Sequence, residues 1–453
     1  MKRRDFLHGM AISMPFGITP IRARGLNEQL QIAAIGVGGK GGSDFHHLAR
    51  HGRVVAACDV DQSKLDYALR TYPKTSRFSD YREMLSQFGD QIDVLSISTP
   101  DHTHAHAAQL AMKKDIHLFV QAPLAHTVAE ARLIKKLAQE KRLCSQLGLQ
   151  GCSSDTFRDG VEFLQSGMLG KIEEVHIWAG KAQWLQAPDW INRPTGTDPV
   201  PTNLNWDCFL GPAPQRPYHK AYQPYKWRGW RDFGTGTLGS YGVHLFNLPF
   251  MGCKLKFPQS VECLHRGPVN QETFSSWGTL RFEVYQESTK QLIPVYWYEG
   301  RIGHLSKEST GAPNYPPASL FCGRQPATSG SLIRGTEGTF YAPSSFGDYW
   351  EVYREKKWHR PEELKFTRGA LDRNGRGDSG MKDELIQAIR TQKPDLALAG
   401  FEHGSNLTEL ALLGNAALFL GGKFSYDHRL GRTERKDINQ LLTKSYRAGW
   451  GIN

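Results

Sequence analysis

Residues 30–41 read Leu-Gln-Ile-Ala-Ala-Ile-Gly-Val-Gly-Gly-Lys-Gly, and their order decides the fold. The apolar, partly β-branched run over 30–35 predicts a buried strand. Gly36-Val37-Gly38-Gly39-Lys40-Gly41 then matches G-x-G-x-x-G ahead of a segment with helical spacing. Glycines in a row also make ordinary turns, so the pattern alone is weak. Its context is stronger. A second apolar strand, VVAACDVD, reaches Asp59 23 residues after Gly36, where a carboxylate accepts hydrogen bonds from adenosine ribose hydroxyls. The glycines let backbone approach a pyrophosphate, and the following helix aims orphan N–H groups and a positive dipole end at it. The expectation is a dinucleotide-binding domain. Asp59 would repel a 2′-phosphate and no arginine follows it directly, so NAD is expected rather than NADP.

The βα alternation continues through IDVLSISTP (92–100), HAAQLAMKK, IHLFV and the amphipathic VAEARLIKKLAQEK, and RLCSQLGLQ closes the unit near residue 150. Ligands on such sheets sit beyond the carboxyl ends of strands. Thr99, Pro100, Asp101 and His104, together with Gln121 and Ala122, are therefore expected at the nicotinamide half. His102, His104 and His106 would share one face of a strand, as zinc ligands sometimes do. No nearby acid or cysteine completes a shell and the chain turns helical after Pro100, so no metal is expected.

The pattern changes from residue 151. A helix, DTFRDGVEFLQSG, leads into EEVHIWAG, and SVECLHRG, SWGTLRFEVYQE, IPVYWYEG and SLIRGTEGTFYAP alternate as strands of a largely antiparallel sheet. MKDELIQAIR and SNLTELALLGNAALFL are helices expected to cover that sheet. The predicted fold is an α/β N-terminal Rossmann domain over 27–150 followed by an α+β domain over 151–453 with a large, mainly antiparallel open sheet.

Bulk properties agree with two domains: 453 residues at 39% hydrophobic content exceed what a single core usually holds. The first 25 residues run from Lys2-Arg3-Arg4 through Phe6-Leu7 to a short apolar stretch, a targeting peptide too short to span a bilayer. Arg3-Arg4-x-Phe6-Leu7 resembles the twin-arginine export signal, which implies a periplasmic protein. Removing the five basic residues and one acid of this segment lowers the formal charge from +11 to +7, with no Lys/Arg block left, so nucleic acid is not an expected partner. The seven cysteines show no C-x-x-C spacing and read as buried thiols. No later stretch is long and apolar enough for a membrane span.

Six of the eleven tryptophans (178, 184, 190, 206, 227 and 230) fall between residues 178 and 230, among prolines, glycines and tyrosines. Sugars stack C–H faces on aromatic rings, which makes Tyr222, Trp227, Arg228 and Trp230 candidate substrate contacts. Packing within an irregular segment is the competing role for each ring.

The glycine turn, CDVD, STPDHTHAHAA, LAHTVAEA and DFGTGTLGSYGVHLFN occur in an order and spacing that resemble the Gfo/Idh/MocA oxidoreductases, NAD(P)-dependent enzymes acting mainly on sugars and cyclitols. The likeness runs over nearly all of residues 30–430, and NLNWDCFLGPAPQRPYHKAY is typical of exported, carbohydrate-utilising members. Where most family dehydrogenases carry Glu-Lys-Pro, this chain has Gln121-Ala122-Pro123. The family's Gly-Asp-x-x-x-His becomes Gly239-Ser240-Tyr241-Gly242-Val243-His244, and a further acidic position is Asn247. The resemblance then implies His244 as the retained acid/base, an imidazole whose ordinary pKa near 6.5 suits a base. Tyr241 or Lys181 would orient the reacting hydroxyl. The expected function is hydride transfer at a ring carbon of a sugar or glycoside, by a homo-oligomer assembled through the C-terminal sheet. Two alternatives stand beside it. One is a redox-neutral NAD-dependent glycosidase like glycoside hydrolase family 109, which also lacks that lysine. The other is a catalytically degenerate carbohydrate-binding subunit.

Overall fold

The computed structural model describes residues 29–180, 192–223, 226–303, 311–373 and 375–452. The targeting segment, Lys181, Trp184 and Trp190 lie outside the described residues. The first domain runs β1 (Leu30–Ile35), α1 (Lys40–Ala49), β2 (Gly52–Cys58), α2 (Gln62–Ala68), β3 (Ser76–Phe78), α3 (Tyr81–Phe88), β4 (Val94–Ile97), α4 (Asp101–Lys113), β5 (His117–Gln121), α5 (Val128–Glu140) and β6 (Ser145–Gly148). Its six strands are all parallel in the order β3-β2-β1-β4-β5-β6, which puts the topological switch point between β1 and β4. Helices on both faces explain why β1 and β4 are apolar almost without alternation. A capping box starts α5, with Thr127 accepting from the Glu130 amide and Glu130 from the Thr127 amide.

The second domain begins with α6 (Asp155–Gln165) and β7 (Ile172–Ala179), then makes a long excursion holding α7 (Trp206–Leu210). A π-helical turn, Leu238–Gly242, runs directly into α8 (Val243–Gly252). The sheet follows as β8 (Leu255–Arg266), β9 (Trp277–Gln286), β10 (Gln291–Ile302), the short β11 (Ala312–Pro313), β12 (Ser329–Gly335), β13 (Gly338–Ala342), β14 (Glu351–Arg354) and β15 (Lys357–His359). After α9 (Gly377–Thr391) and α10 (Phe401–Leu420) come β16 (Gly422–Asp427), β17 (Arg432–Thr433) and α11 (Lys436–Leu441). Eleven strands form one sheet, antiparallel except where β7 pairs with β10. β9 alternates buried and half-buried residues because one face is covered and the other is not.

One expectation is corrected. Of these two C-terminal helices α10 lies on the second sheet, against β8 and β9, while it also touches α5; α9 packs on α1, β5 and β6 of the first domain. The physical reason is charge: Lys382 on α9 is fully buried and finds its carboxylate partner, Asp44, on α1.

Candidate active site

The glycine turn leaves β1 at Gly36, whose φ of +79° and whose missing Cβ are both required, since a Cβ there would sit 2.5 Å from the Ser98 carbonyl oxygen. A Cβ on Gly41 would stand 2.1 Å from the Gly36 carbonyl oxygen, so only glycine lets α1 start this close to the turn. No side chain caps α1; the Gly41 amide turns back to the Gly38 carbonyl at 3.0 Å, and the positive end of the helix faces the turn, as an anion site requires. Asp59 closes the opposite wall. Its Oδ2 accepts from the Val37 amide at 2.9 Å and its Oδ1 from the Asp61 amide at 2.9 Å, which leaves further lone pairs on both oxygens for ribose hydroxyls. Burial pushes its pKa up and these backbone donors pull against that. A cavity of about 230 Å³ lies between these walls, lined by Gly36, Gly38, Gly39, Lys40, Gly41 and Asp59. Thr99 and Pro100 line it from β4, and Trp227 and Arg228 from the excursion. These residues fit the adenosine and pyrophosphate half of a dinucleotide. Sequence reasoning missed Lys64, Tyr81, Cys208 and Gln223 on the same wall; their positions depend on how loops meet and carry no local signal.

The aromatic stretch is divided by the structure. Trp227 faces the cavity, with the Arg228 guanidinium 4.2 Å over its ring. Tyr222 and Trp230 are not among the described lining residues of that cavity. They belong to a core of their own with Trp206, Phe209 and Phe233, which Trp227 joins while also lining the cavity. Trp230 is fully buried and its indole N–H donates to the Ala221 carbonyl at 2.9 Å. An excursion with little regular secondary structure needs its own core, and these rings supply it.

At the carboxyl ends of β4 and β5, several expected cofactor contacts are used for structure instead. His104 is buried, with Nδ1 2.8 Å from the Pro123 carbonyl and Nε2 2.8 Å from the Thr99 carbonyl. It ties two loops together and presents no unoccupied nitrogen. Asp101, also buried, accepts from the Thr235 hydroxyl at 2.6 Å and so links the two domains. Both arrangements have one cause: α4 starts at Asp101, and its first residues, Asp101 to His104, are buried. The Gln121 amide donates to Asp44 at 2.7 Å and accepts from Gln150 at 3.2 Å. Ala122 packs against the main core.

Asp44 is the centre of a charged cluster unforeseen in the sequence. Lys40 lies 2.6 Å from Asp44 and 2.7 Å from Asp378, and Lys382 lies 2.7 Å and 2.6 Å from the same two carboxylates. Burial depresses the Lys40 pKa, but Asp44 and Asp378 outweigh it and hold the ammonium above its ordinary value. The pairs Lys40/Asp44 and Asp378/Lys382 are each i,i+4 on a helix and legible as such; their meeting across the fold is not.

His244 stands three residues after Tyr241, so both side chains project from one side of the π turn and α8. The Tyr241 hydroxyl is held by Ser329, at 3.2 Å, and Ser345. The His244 ring meets Phe346 edge-on at 5.5 Å, and its Nδ1 is buried with no hydrogen-bond partner among the described residues. Burial, then the charge of Lys40, push its pKa down to about 4, against the pull of Asp378. The ordinary value near 6.5 expected from the sequence is therefore corrected: the imidazole is neutral throughout the near-neutral range. The same coupling puts His244 within electrostatic reach of a lysine that lines the nucleotide cavity. Asn247 faces elsewhere, accepting from His403 at 2.8 Å.

Fold and glycine-turn geometry together define a two-domain protein with a Rossmann-type dinucleotide site. Residues 30–149 match the oxidoreductase family with an NAD-binding Rossmann fold, and residues 157–293 match the C-terminal alpha/beta domain of the same family. The chain belongs to the Gfo/Idh/MocA oxidoreductases. It is similar to "Glycosyl hydrolase family 109 protein 2" of Shewanella sp. (strain ANA-3), 27% identical over 186 residues, 38% of this chain and 39% of that protein. The alpha-N-acetylgalactosaminidase of Shewanella oneidensis is 29% identical over 187 residues with the same coverage. The chain thus spans about two fifths of the length of the curated relatives it matches. Among solved structures, the WlbA dehydrogenase from Bordetella pertussis, in complex with NADH and UDP-GlcNAcA, shares the fold at a TM-score of 0.60 and 15% identity, over 88% of this chain and 99% of that one.

Proposed function

We propose that the protein is an NAD-dependent oxidoreductase acting on a sugar or glycoside at a ring carbon, with His244 exchanging the proton of the reacting hydroxyl. The observation that carries this reading is the buried Nδ1 of His244, without a hydrogen-bond partner among the described residues and within electrostatic reach of Lys40, which lines the nucleotide cavity. NAD, when bound, supplies the hydride acceptor. The chain's own residues do the rest. The imidazole is in its neutral, proton-accepting form above about pH 5, and burial and the charge of Lys40 make it a weaker base that gives the proton up readily. Tyr241, fixed by its two serine partners, orients the sugar hydroxyl toward the ring.

The test is purified protein with NAD and a panel of pyranosides and aryl glycosides, following both reduced nicotinamide and released sugar. Reduction of NAD on some pyranoside supports the reading. Release of sugar without net reduction supports the second reading, redox-neutral cleavage, which the glycoside hydrolase family 109 relatives favour. Bound cofactor with neither product across the panel leaves a carbohydrate-binding subunit and overturns both. We further propose that Arg3-Arg4-x-Phe6-Leu7 directs export to the periplasm and that the uncovered face of the second sheet joins copies into a homo-oligomer. Periplasmic fractionation of an Arg3→Lys, Arg4→Lys variant and light scattering of the purified chain test these two points.

A further inference from the structure

A second cavity, of about 380 Å³, lies where the C-terminal tail crosses the segment that leads into the π turn, and it shares no lining residue with the nucleotide cavity. Arg231, Asn415, Gln440, Thr443, Lys444 and Ser445 line it. Its chemistry is short of negative charge. Asp232, the one carboxylate among the described lining residues, is paired with Arg216. Glu272 nearby is shared by Arg216 at 3.3 Å and Arg193 at 2.9 Å. Lys444 is held by Glu130 at 2.7 Å and by the His102 carbonyl at 3.2 Å.

Arg231 has no such arrangement. Its guanidinium lies 3.8 Å from the centre of the Phe419 ring and 5.5 Å from that of Phe274, with no hydrogen-bonded or ion-paired acceptor among the described residues. Burial pushes its pKa down to about 10, against the pull of Asp232. Arg231 is half-buried, and a planar cation stacked on an aromatic ring keeps its donor edge in a fixed orientation, ready for an acceptor that a ligand in the cavity supplies. The neighbouring Thr443 and Ser445 hydroxyls and the Gln440 amide add neutral donors of the kind that complete an oxyanion's coordination.

We propose that this cavity binds an oxyanion, a carboxylate or sulfate, with Arg231 as its principal ligand, either as a free ion or as a substituent on a saccharide. The inference is independent of hydride chemistry and stands or falls separately from the proposed function. Its test is calorimetric titration of the full chain with sodium sulfate, glucuronate and glucose in chloride-matched buffer, repeated on Arg231→Gln and Arg231→Lys. NADH binding serves as the folding control, since it uses the other cavity. Saturable binding of glucuronate or sulfate but not glucose is expected, weakened about tenfold or more in Arg231→Gln and less in Arg231→Lys. Tighter binding of glucuronate than of sulfate identifies a saccharide substituent, and equal binding identifies the ion itself. Absence of saturable binding by either anion, or binding unchanged in Arg231→Gln with NADH binding intact, overturns the proposal.

Discussion

Lys40 and Gln121 meet on one carboxylate: the ammonium sits 2.6 Å from Oδ1 of Asp44 and the amide 2.7 Å from its Oδ2. The start of α1 and the end of β5 are thereby locked together, and the buried Lys382 adds α9 to the same point. Asp44→Ala removes the acceptor of all these groups and leaves Lys382 fully buried beside Asp378 alone. Loss of one partner from such a buried cluster costs about 3–5 kcal/mol, read from urea denaturation. A loss below about 1 kcal/mol would show the cluster to be no more than a solvated surface pair.

The glycine turn leaves no room for a methyl group at Gly41. Gly41→Ala should weaken NADH binding by about tenfold or more, because the start of α1 must retreat from the pyrophosphate. Asp59→Ala acts differently: it releases the Val37 amide and removes the ribose acceptor, so discrimination against the 2′-phosphate falls along with affinity. Fluorescence titration with NADH and NADPH measures both effects. Unchanged affinity in both variants would place the dinucleotide elsewhere.

Much of this was legible in the sequence, and the reason is local. The strand, the turn and Asp59 lie within one βαβ unit, so their spacing in the chain is their spacing in space. Tyr241 and His244 likewise sit one helical turn apart. The bonds that Asp101 and His104 make to Thr235, Pro123 and Thr99 were not legible, because Pro100 marks the helix start without saying which way its first turn faces. The pairing of Lys40 with Asp378 spans 338 positions and has no short-range trace. The tryptophans were ambiguous for another reason: composition does not distinguish a ring that stacks on a sugar from one that fills a core.

Trp230 and Tyr222 give that distinction a test. Trp230→Ala opens a fully buried site and should cost about 3–5 kcal/mol, while Trp227→Ala, on the cavity wall, should lower NADH affinity. Thermal denaturation and NADH titration of both variants separate the roles. The assignment fails if Trp230→Ala leaves the melting temperature unchanged.

Acid stability follows from the buried and half-buried histidines. Burial lowers His102 and His126 to about 3 and His106, His117, His244 and His403 to about 4. The unfolded chain binds their protons from about pH 6.5 downward while the folded chain does not, so stability falls as pH drops from about 6.5 to 4. Glu299 acts in the opposite sense. It is buried with the Trp297 indole N–H 3.1 Å from its Oε2, and burial raises its pKa to about 7. Its contribution is fully present below the unfolded value near 4.5 and is lost as pH rises through 7, so Glu299→Gln should stabilise the fold at pH 8 by on the order of 3 kcal/mol and little at pH 4. Melting curves of wild type and variant across this range check both signs.

The account rests on an imidazole that exchanges the substrate proton beside a bound dinucleotide. The most direct measurement is the rate of NAD reduction by His244→Ala against wild type on a substrate that wild type oxidises, with NADH affinity determined on the same samples. The account predicts a fall of about 10²- to 10⁴-fold at unchanged affinity. A variant that keeps the wild-type rate would contradict it.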